Sequence, residues 1–187
     1  MRDVHRFKRI AETQDDACGE AFDKVAKILG LGYPGGPLIE SHAALGNAKA
    51  FSFPPPRLNE NSLDFSFSGI KTAVLYKVRD LTLTPSTVND ISASFQRVVI
   101  ETLVRHALLA MKQHRSNSLL VGGGVIANRA LRREFRKTFR KEGLRVFFPP
   151  KGLSLDNAAM VAGLGSQLYG KGMRSSLDLS CEPLGRN

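Results

Sequence analysis

The longest regular pattern of apolar residues covers residues 86–114, where they recur at spacings of three and four. This spacing predicts a helix with one buried face, and Pro85 suits its first turn. The same spacing predicts an earlier helix that ends at Gly30, and "LIESHAALG" predicts a short helix over residues 38–46. The buried faces comprise Ala17, Ala21, Val25 and Ile28 in the earlier helix, and Val88, Ile91, Phe95, Val98, Val99 and Leu103 in the long one.

The second half of the chain alternates strand and helix patterns. "SLLVGGG" predicts a short buried strand, and "RVFFPP" predicts another. Between them lies a predicted helix whose inward residues are Leu131, Phe135 and Phe139. A last helix follows, entered through Asp156–Asn157. This order predicts an α/β layer architecture with parallel strand pairing.

The first half contains shorter patterns. Residues 5–12 alternate enough to predict a short strand, and Ser68 is a candidate N-cap for a helix. "GYPGGP" at 32–37 predicts a turn-rich loop, and "AFSFPPPRLNENS" at 50–62 predicts a long one. From about Lys171 the pattern predicts a loose tail.

Charge is unevenly distributed along the 187 residues. Lys and Arg number 27 against 17 Asp and Glu, which gives a formal net charge of +10. The excess is concentrated between Arg129 and Arg145. This pattern is typical of a surface for an anionic partner such as nucleic acid, or of a solvated helix face. The basic residues there are Arg129, Arg132, Arg133, Arg136, Lys137, Arg140, Lys141 and Arg145.

Neither a membrane span nor a disulfide framework is predicted. The chain contains no uninterrupted apolar run of about 18 residues, and "MRDVHRFKRI" lacks the apolar segment of a secretory signal. The two cysteines, Cys18 and Cys181, lie far apart in sequence. A reducing cytoplasmic location is therefore predicted.

Two glycine-rich corners are candidate ligand sites. Gly122–Gly124 join a predicted strand to a predicted helix, where backbone N–H groups favour a phosphate or ribose-phosphate. Neither a Rossmann nor a Walker fingerprint is present, so a simple tight corner is the alternative. Asn128 follows closely, either to contact a nucleoside or to cap the helix. Near the second corner, at 35–36, Glu20 and Asp23 share a helix face and could hold ribose hydroxyls; an ordinary solvated face with an Asp23–Lys27 pair is the alternative.

No complete metal-site or hydrolase motif is found. The histidines form neither an H-x-x-x-H pair nor an H-E-x-x-H motif, and C-x-x-C and G-x-S-x-G are also absent. Asp156 precedes a predicted helix, which is typical of an N-cap and also possible for a single metal ligand.

Four segments in order resemble the signature blocks of the TsaD/Gcp family, which makes the threonylcarbamoyl modification of tRNA. They are "DDACGEAFDKVAKILGLGYPGGP", "LDFSFSGIKTA", "GGGVIANRALR" and "SLDNAAMVAGLG", and the likeness runs from about Arg6 to Gly165. The resemblance implies an α/β, actin/Hsp70-like (ASKHA, RNase H-like) ATPase fold of two lobes. Family members are nearly twice as long, so only an incomplete second lobe is expected, over residues 1–170, with a tail over 171–187.

The resemblance also implies a site and a reaction. Family members transfer threonylcarbamoyl from threonylcarbamoyl-AMP to N6 of the adenosine adjacent to the tRNA anticodon. By family pattern, Asp23 would bind the ribose of the adenylate, Gly36 would lie against the nucleoside with Glu40 nearby, and Asn128 and Gly123 would contact the nucleotide. Asp156 would be a ligand of a divalent metal, iron or zinc, and adenylate or ATP is the implied nucleotide.

Departures from the family pattern limit these expectations. The family's H-x-x-x-H metal pair is absent, so the isolated chain is expected neither to retain the metal nor to transfer the group. A nucleotide- or tRNA-binding module without turnover is the alternative function, and a sugar-kinase-like or ATPase lobe is a third. TsaB and TsaE are the family's bacterial partners. Exposed sheet edges suggest a homodimer.

Overall fold

A computed structural model describes residues 7–55, 62–150 and 152–180. The chain divides into two compact units: Ile10–Leu155, and Met1–Arg9 together with Asp156–Asn187. The prediction of one lobe over 1–170 and a tail over 171–187 stays a prediction. None of the helices in the described ranges is both long enough and apolar enough to cross a membrane.

The larger unit begins with four helices. They are α1 (Cys18–Ile28), α2 (Gly35–Ala43), α3 (Ser68–Arg79) and α4 (Pro85–Gln113). A strand β1 (Ser118–Leu120), a 3₁₀ turn (Gly124–Ala127), α5 (Arg129–Lys141) and β2 (Arg145–Phe147) follow. The predicted helices are therefore confirmed, and α4 has Pro85 in its first turn and Thr84 as its N-cap, as expected from its sequence.

The two strands pair in parallel, with α5 as the crossover between them. Leu119 lies opposite Val146 and Leu120 opposite Phe147. Parallel pairing is thus confirmed, but the prediction that β1 is buried is wrong for Leu120, which is 73% exposed. Its side chain lies at the open face of a two-stranded sheet, where no described element covers it.

The core consists of two apolar clusters. The first joins α1–α4, and the rings of Phe22 and Phe95 meet there edge to face at 5.1 Å. The second lies where α5 packs on the second half of α4 and on the strands, with Leu131, Phe135 and Phe139 buried as predicted. The long helix α4 contributes residues to both clusters. It therefore supports both α2, where one glycine corner lies, and α5, which follows the other.

The structure corrects two predictions in the first half of the chain. Residues 7–12 form no strand; only Thr13 bridges to Phe65, in parallel, while residues 5 and 6 lie outside the described residues. The predicted loop at 32–37 ends early because α2 begins at Gly35. Pro37 is tolerated in the first turn because its missing N–H would have no partner there. The predicted loop at 50–62 is without helix or strand over 50–55 and at 62, and the remainder lies outside the described residues.

The N-cap predicted at Ser68 is also wrong, because a distant carboxylate caps α3. Asp15 accepts hydrogen bonds from the backbone N–H groups of Phe67 and Ser68 and from the hydroxyls of Ser66 and Ser68. Burial of Asp15 opposes its ionisation, but the four hydrogen bonds outweigh it and lower the pKa of Asp15 to about 2. We call this arrangement the α3 cap.

The smaller unit contains the helix α6 (Ala158–Gly170). Asn157 caps it by accepting a hydrogen bond from the N–H of Met160 at 3.0 Å. Asp156 therefore lies one residue before the N-cap. Residues 171–180 contain neither helix nor strand.

Candidate functional site

A cavity of about 470 Å³ lies between α1, α2 and the start of α5. This volume falls within the usual range for small-molecule sites. Four of the predicted site residues line it, together with Gly124 from the triple-glycine corner, so both glycine corners contribute to one cavity. We call this cavity the cleft, and its predicted site residues are Asp23, Gly36, Glu40 and Asn128.

Two carboxylates of the cleft each hold a backbone N–H group. Asp23 Oδ1 accepts the N–H of Gly35 at 2.7 Å, which ties α1 to the start of α2. Glu40 Oε1 accepts the N–H of Arg129 at 2.8 Å, which ties α2 to the start of α5. Of the described residues, none donates a hydrogen bond to the second oxygen of either carboxylate. Each carboxylate therefore keeps one acceptor for a ligand such as a sugar hydroxyl.

Adjacent glycines at the start of α2 have different roles. A Cβ on Gly35 would lie 2.5 Å from the Cα of Asp23 and 2.6 Å from the carbonyl oxygen of Phe22. Gly35 is thus required for the close approach of α1 and α2. A Cβ on Gly36 would meet nothing within 4 Å, so Gly36 leaves open space at the cleft. The sequence alone does not separate the two.

Asn128 is buried and caps α5. Its Oδ1 accepts the N–H of Leu131 at 2.9 Å, which is the capping alternative weighed from the sequence. Its amide nitrogen donates to Gln96 Oε1 at 2.6 Å. Gln96, a buried polar residue of α4, therefore fixes the orientation of Asn128, and no sequence signal identifies it as part of the site. One amide hydrogen of Asn128 remains for a ligand at the cleft.

The three consecutive glycines do not act as one unit. All three line a second cavity of about 460 Å³ beside β1, and of the three only Gly124 also lines the cleft. Gly123 has a φ of +90°, a conformation that favours glycine, so the tight-corner alternative accounts for this residue. Its predicted nucleotide contact stays a prediction.

The second cavity is largely apolar and contains a cysteine and a histidine. Burial raises the pKa of the Cys18 thiol to about 12, which keeps the thiol protonated and unreactive. His106 Nδ1 contacts the carbonyl oxygen of Leu63 at 3.1 Å, and its ring stacks on Phe65. These contacts hold the segment before α3 against α4.

Glu20 does not join Asp23 in the cleft, so the paired-acid arrangement predicted from their spacing is wrong. Lys24 contacts Glu20 at 2.8 Å and is the main cause that lowers the pKa of Glu20. Glu20 also accepts the N–H of Ala17 at the start of α1. Asp23 and Lys27 do not form an ion pair either; Oδ1 of Asp23 accepts the N–H of Gly35.

The donor set does not fit a metal ion. Across residues 7–55, 62–150 and 152–180, no group of three or more His, Cys, Asp or Glu side chains is placed to hold one. His42 and His106 contact Asn89 and a backbone carbonyl, respectively, and a lone Asp156 supplies at most two oxygens. We therefore derive no step through a metal, and the role of Asp156 stays a prediction.

The chain is similar in sequence to a family of tRNA-modifying enzymes. The family model of TsaD, tRNA N6-adenosine threonylcarbamoyltransferase, matches residues 1–163. A relative of that name from Dictyoglomus turgidum is 48% identical over 185 residues, which cover 98% of this chain and 55% of the relative. One from Moorella thermoacetica is 52% identical over 160 residues, covering 84% of this chain and 47% of the relative.

Solved structures with the same fold are more distant in sequence. Full-length HypF, crystallised in a phosphate- and nucleotide-bound form, superposes with a TM-score of 0.62 at 19% identity, over 88% of this chain and 21% of that one. HypF from T. kodakarensis gives 0.64 at 19% identity, over 84% and 20% of the two chains. These matches and the family model confirm the predicted fold class, a partial actin/Hsp70-like α/β domain.

The family assignment rests on most of this chain but on part of each relative. The chain spans about half the length of the curated relatives it matches, at 55% and 47% of the two named above. The match nevertheless includes both glycine corners and every residue of the cleft. The chain belongs to the tRNA N6-adenosine threonylcarbamoyltransferase family.

Proposed function

We propose that the cleft binds the adenosine nucleotide of threonylcarbamoyl-AMP. The chain would thereby supply the nucleotide-holding part of an enzyme that transfers threonylcarbamoyl to N6 of the adenosine adjacent to the tRNA anticodon. Asp23 and Glu40 would accept hydrogen bonds from the ribose hydroxyls, Gly36 would let the nucleoside approach the backbone, and Asn128 would donate to the nucleotide.

One observation carries the proposal. Two carboxylates, each with one oxygen free of hydrogen bonds from described residues, line the same cavity as a glycine with open space beside it. Asp23 and Glu40 each use one oxygen to hold backbone, which fixes the second oxygen without side-chain reorganisation. Vicinal hydroxyls are recognised well by such fixed acceptors, because a carboxylate oxygen accepts more than one hydrogen bond. A site held ready in this way loses little conformational entropy when the ligand binds.

The chemistry asked of the cleft is orientation. The exocyclic amine attacks the carbamoyl carbon of the mixed anhydride, AMP departs, and the amine loses a proton. Because the anhydride is already activated, no protein nucleophile is needed, and none is assigned. The cleft would accelerate transfer by holding the adenylate so that its carbamoyl group faces the amine.

Binding without turnover is the second candidate function. Its support is the coverage, since the chain spans only 55% and 47% of the two relatives named above. In this candidate the cleft binds the nucleotide, but the groups that complete the reaction come from elsewhere. The two candidates agree on the cleft and differ only in whether transfer occurs.

Titration calorimetry with AMP tests the shared part of both candidates. Asp23→Asn keeps an acceptor for the Gly35 N–H but removes the negative charge, so AMP affinity should fall about tenfold. Asp80→Asn makes the same chemical change at the exposed end of α3 and should leave the affinity unchanged. If AMP does not bind the wild-type chain even at millimolar concentration, the proposed function is wrong.

A transfer assay separates the two candidates. Threonylcarbamoyl-AMP and tRNA are incubated with the chain, with and without the part of the Dictyoglomus turgidum relative that this chain does not match. Modified adenosine formed by the chain alone would support transfer. AMP binding with modification only after the second part is added would support the binding candidate for the isolated chain.

The remaining expectations stay with this proposal. tRNA is implied as a substrate by the family name, whereas TsaB and TsaE and a cytoplasmic location are proposed by resemblance. A divalent metal such as iron or zinc is proposed only for the longer family members, because the described residues of this chain do not assemble a site for it. A homodimer is proposed through the sheet, where Leu120 is 73% and Phe147 48% exposed. Sedimentation at increasing protein concentration tests the dimer, and a constant monomer mass would exclude it.

A further inference from the structure

The outer face of α5 carries a continuous row of arginines. Arg129, Arg133, Arg136 and Arg140 follow at spacings of four, three and four, so they lie within about 60° of one another around a helix with 100° per residue. Along the axis they span about 16 Å. All four are exposed, and we call them the arginine stripe.

Among the residues that the structure describes, no carboxylate forms an ion pair with an arginine of the stripe. Glu134 is the single acidic residue within α5, and it contacts Lys137 at 3.5 Å and accepts a hydrogen bond from Thr138. The stripe therefore presents an unneutralised positive surface.

Helix stability does not explain the position of the stripe. Positive charge is favourable at the C-terminal end of a helix and unfavourable at its N-terminal end. Arg140 and Lys141 lie in the favourable last turn, but Arg129 and Arg133 lie in the first five residues, and the first turn contains no acidic residue. The charges of the first turn are therefore not explained by the electrostatics of the helix itself.

The stripe begins where the cleft ends. Asn128 lines the cleft and caps α5, and the next residue, Arg129, donates its backbone N–H to Glu40 of the cleft. A polyanion lying along the stripe would therefore approach the mouth of the cleft at one end. Arg132 is not part of this surface, because its side chain donates to the carbonyl oxygen of Ile126 at 2.6 Å. The guanidinium of Arg136 lies 5.1 Å from the centre of the Phe148 ring, and Arg136 remains exposed.

We infer that the arginine stripe binds the phosphate backbone of the RNA substrate and leads it to the cleft. The inference rests on the proposed function for the choice of RNA as the polyanion. A membrane surface is disfavoured, because the apolar face of α5 is buried in the core through Leu131, Phe135 and Phe139 and is not available to lipid. Phosphate contacts by arginine position a nucleic acid without reading its sequence.

The test is fluorescence anisotropy with a labelled tRNA anticodon stem-loop over a salt series, on the full chain. Each phosphate contact contributes about 0.7 to 0.9 to the slope of log affinity against log salt. Arg129→Gln with Arg133→Gln should reduce that slope by about 1.4 to 1.8 and weaken binding roughly 25- to 60-fold at 0.1 M salt. Relief of the unfavourable N-terminal charge should leave the double variant at least as stable to urea as the wild type.

The matched control removes the same charge elsewhere. Lys49→Gln with Lys112→Gln changes two exposed residues outside α5 and should alter the affinity less than twofold. If both double variants weaken RNA binding equally, the effect comes from net charge and not from the stripe, and the inference is overturned. A salt-independent affinity of the wild type, or equal binding to anionic phosphatidylglycerol vesicles, would overturn it as well.

Lysine acylation of the wild-type chain, with and without RNA, gives a test that does not depend on whether a variant folds. RNA should protect Lys137, which lies about 40° around α5 from Arg133, from acylation and leave Lys49 and Lys112 reactive. Uniform protection, or none at saturating RNA, would contradict the inference. The wild type and the Arg129/Arg133 double variant are both titrated with AMP, which separates the two proposals. If both bind AMP but the wild type does not bind RNA, the stripe is wrong and the cleft stands. If RNA protects α5 but AMP does not bind, the cleft is wrong and the stripe stands.

Discussion

The α3 cap and the cleft both use carboxylates to hold backbone N–H groups from other segments, yet they differ in how completely the carboxylates are used. Asp15 accepts four hydrogen bonds, two from backbone and two from serine hydroxyls. Asp23 and Glu40 accept one described hydrogen bond each and face a cavity. A carboxylate with both oxygens hydrogen-bonded within the protein contributes to stability. A carboxylate at a cavity with one oxygen free of such bonds remains available for a ligand.

The largest expected effect concerns the contact between α1 and α2 beside the cleft. Gly35→Ala places a Cβ against the backbone of α1, so α1 and α2 must separate. We expect the free energy of unfolding to fall by about 2 kcal/mol. Urea denaturation measures it, and a loss below about 0.5 kcal/mol would show that the close approach of the two helices is not required.

The next effect concerns the α3 cap. Asp15→Asn removes the charge and replaces one acceptor oxygen with a donor, so the two serine hydroxyls lose their acceptor. We expect a loss of about 1 to 2 kcal/mol in the free energy of unfolding, with AMP affinity unchanged. Asp80→Asn is the control for loss of one negative charge. Weakened AMP binding in Asp15→Asn would mean that the two regions are not independent.

Acidification should remove the cap's contribution in a defined range. The pKa of Asp15 is lowered from 3.8 to about 2 in the folded state, so its stabilisation is complete above the unfolded value and is lost as pH falls through the folded one. The difference in unfolding free energy between wild type and Asp15→Asn should therefore be constant above pH 5 and narrow below about pH 4. A difference that widens on acidification would contradict the assigned pKa.

The smallest effect on stability separates the adjacent glycines. Gly36→Ala adds a methyl group in open space and should change the free energy of unfolding by less than about 0.5 kcal/mol. The same methyl group enters the cleft, so AMP affinity should fall about tenfold. Unchanged AMP affinity in a folded Gly36→Ala variant would remove Gly36 from the site.

Local patterns predicted the helices well. Of the residues that the resemblance implied, Asp23, Gly36, Glu40 and Asn128 line one cavity, whereas Gly123 and Asp156 do not line it. The periodicity of α4 and the apolar face of α5 are properties of contiguous sequence, so they could be read directly. The start of α2 was missed because Gly-Gly-Pro is typical of a turn, and tolerance of Pro37 depends on its place in a first turn. The spacing of Glu20 and Asp23 could not show that Lys24 pairs with Glu20.

Interactions between distant segments account for the rest. Asp15 caps a helix that begins 53 residues later, and Gln96 orients Asn128 across 32 residues. Neither partner is identifiable from spacing, because the fold alone brings them together. The exposure of Leu120 likewise depends on which elements cover the sheet and not on the apolar run in which it lies.

Backbone amide chemical shifts during titration with AMP test the central claim most directly. Binding in the cleft should shift the amides of Gly36, Gly124 and Asn128 together with one dissociation constant, while those of Gly30 and Gly143, which lie outside the cleft lining, stay unchanged. The same constant should weaken about tenfold in Asp23→Asn. Saturating AMP that leaves the three cleft amides unshifted, or shifts all five equally, would contradict the account.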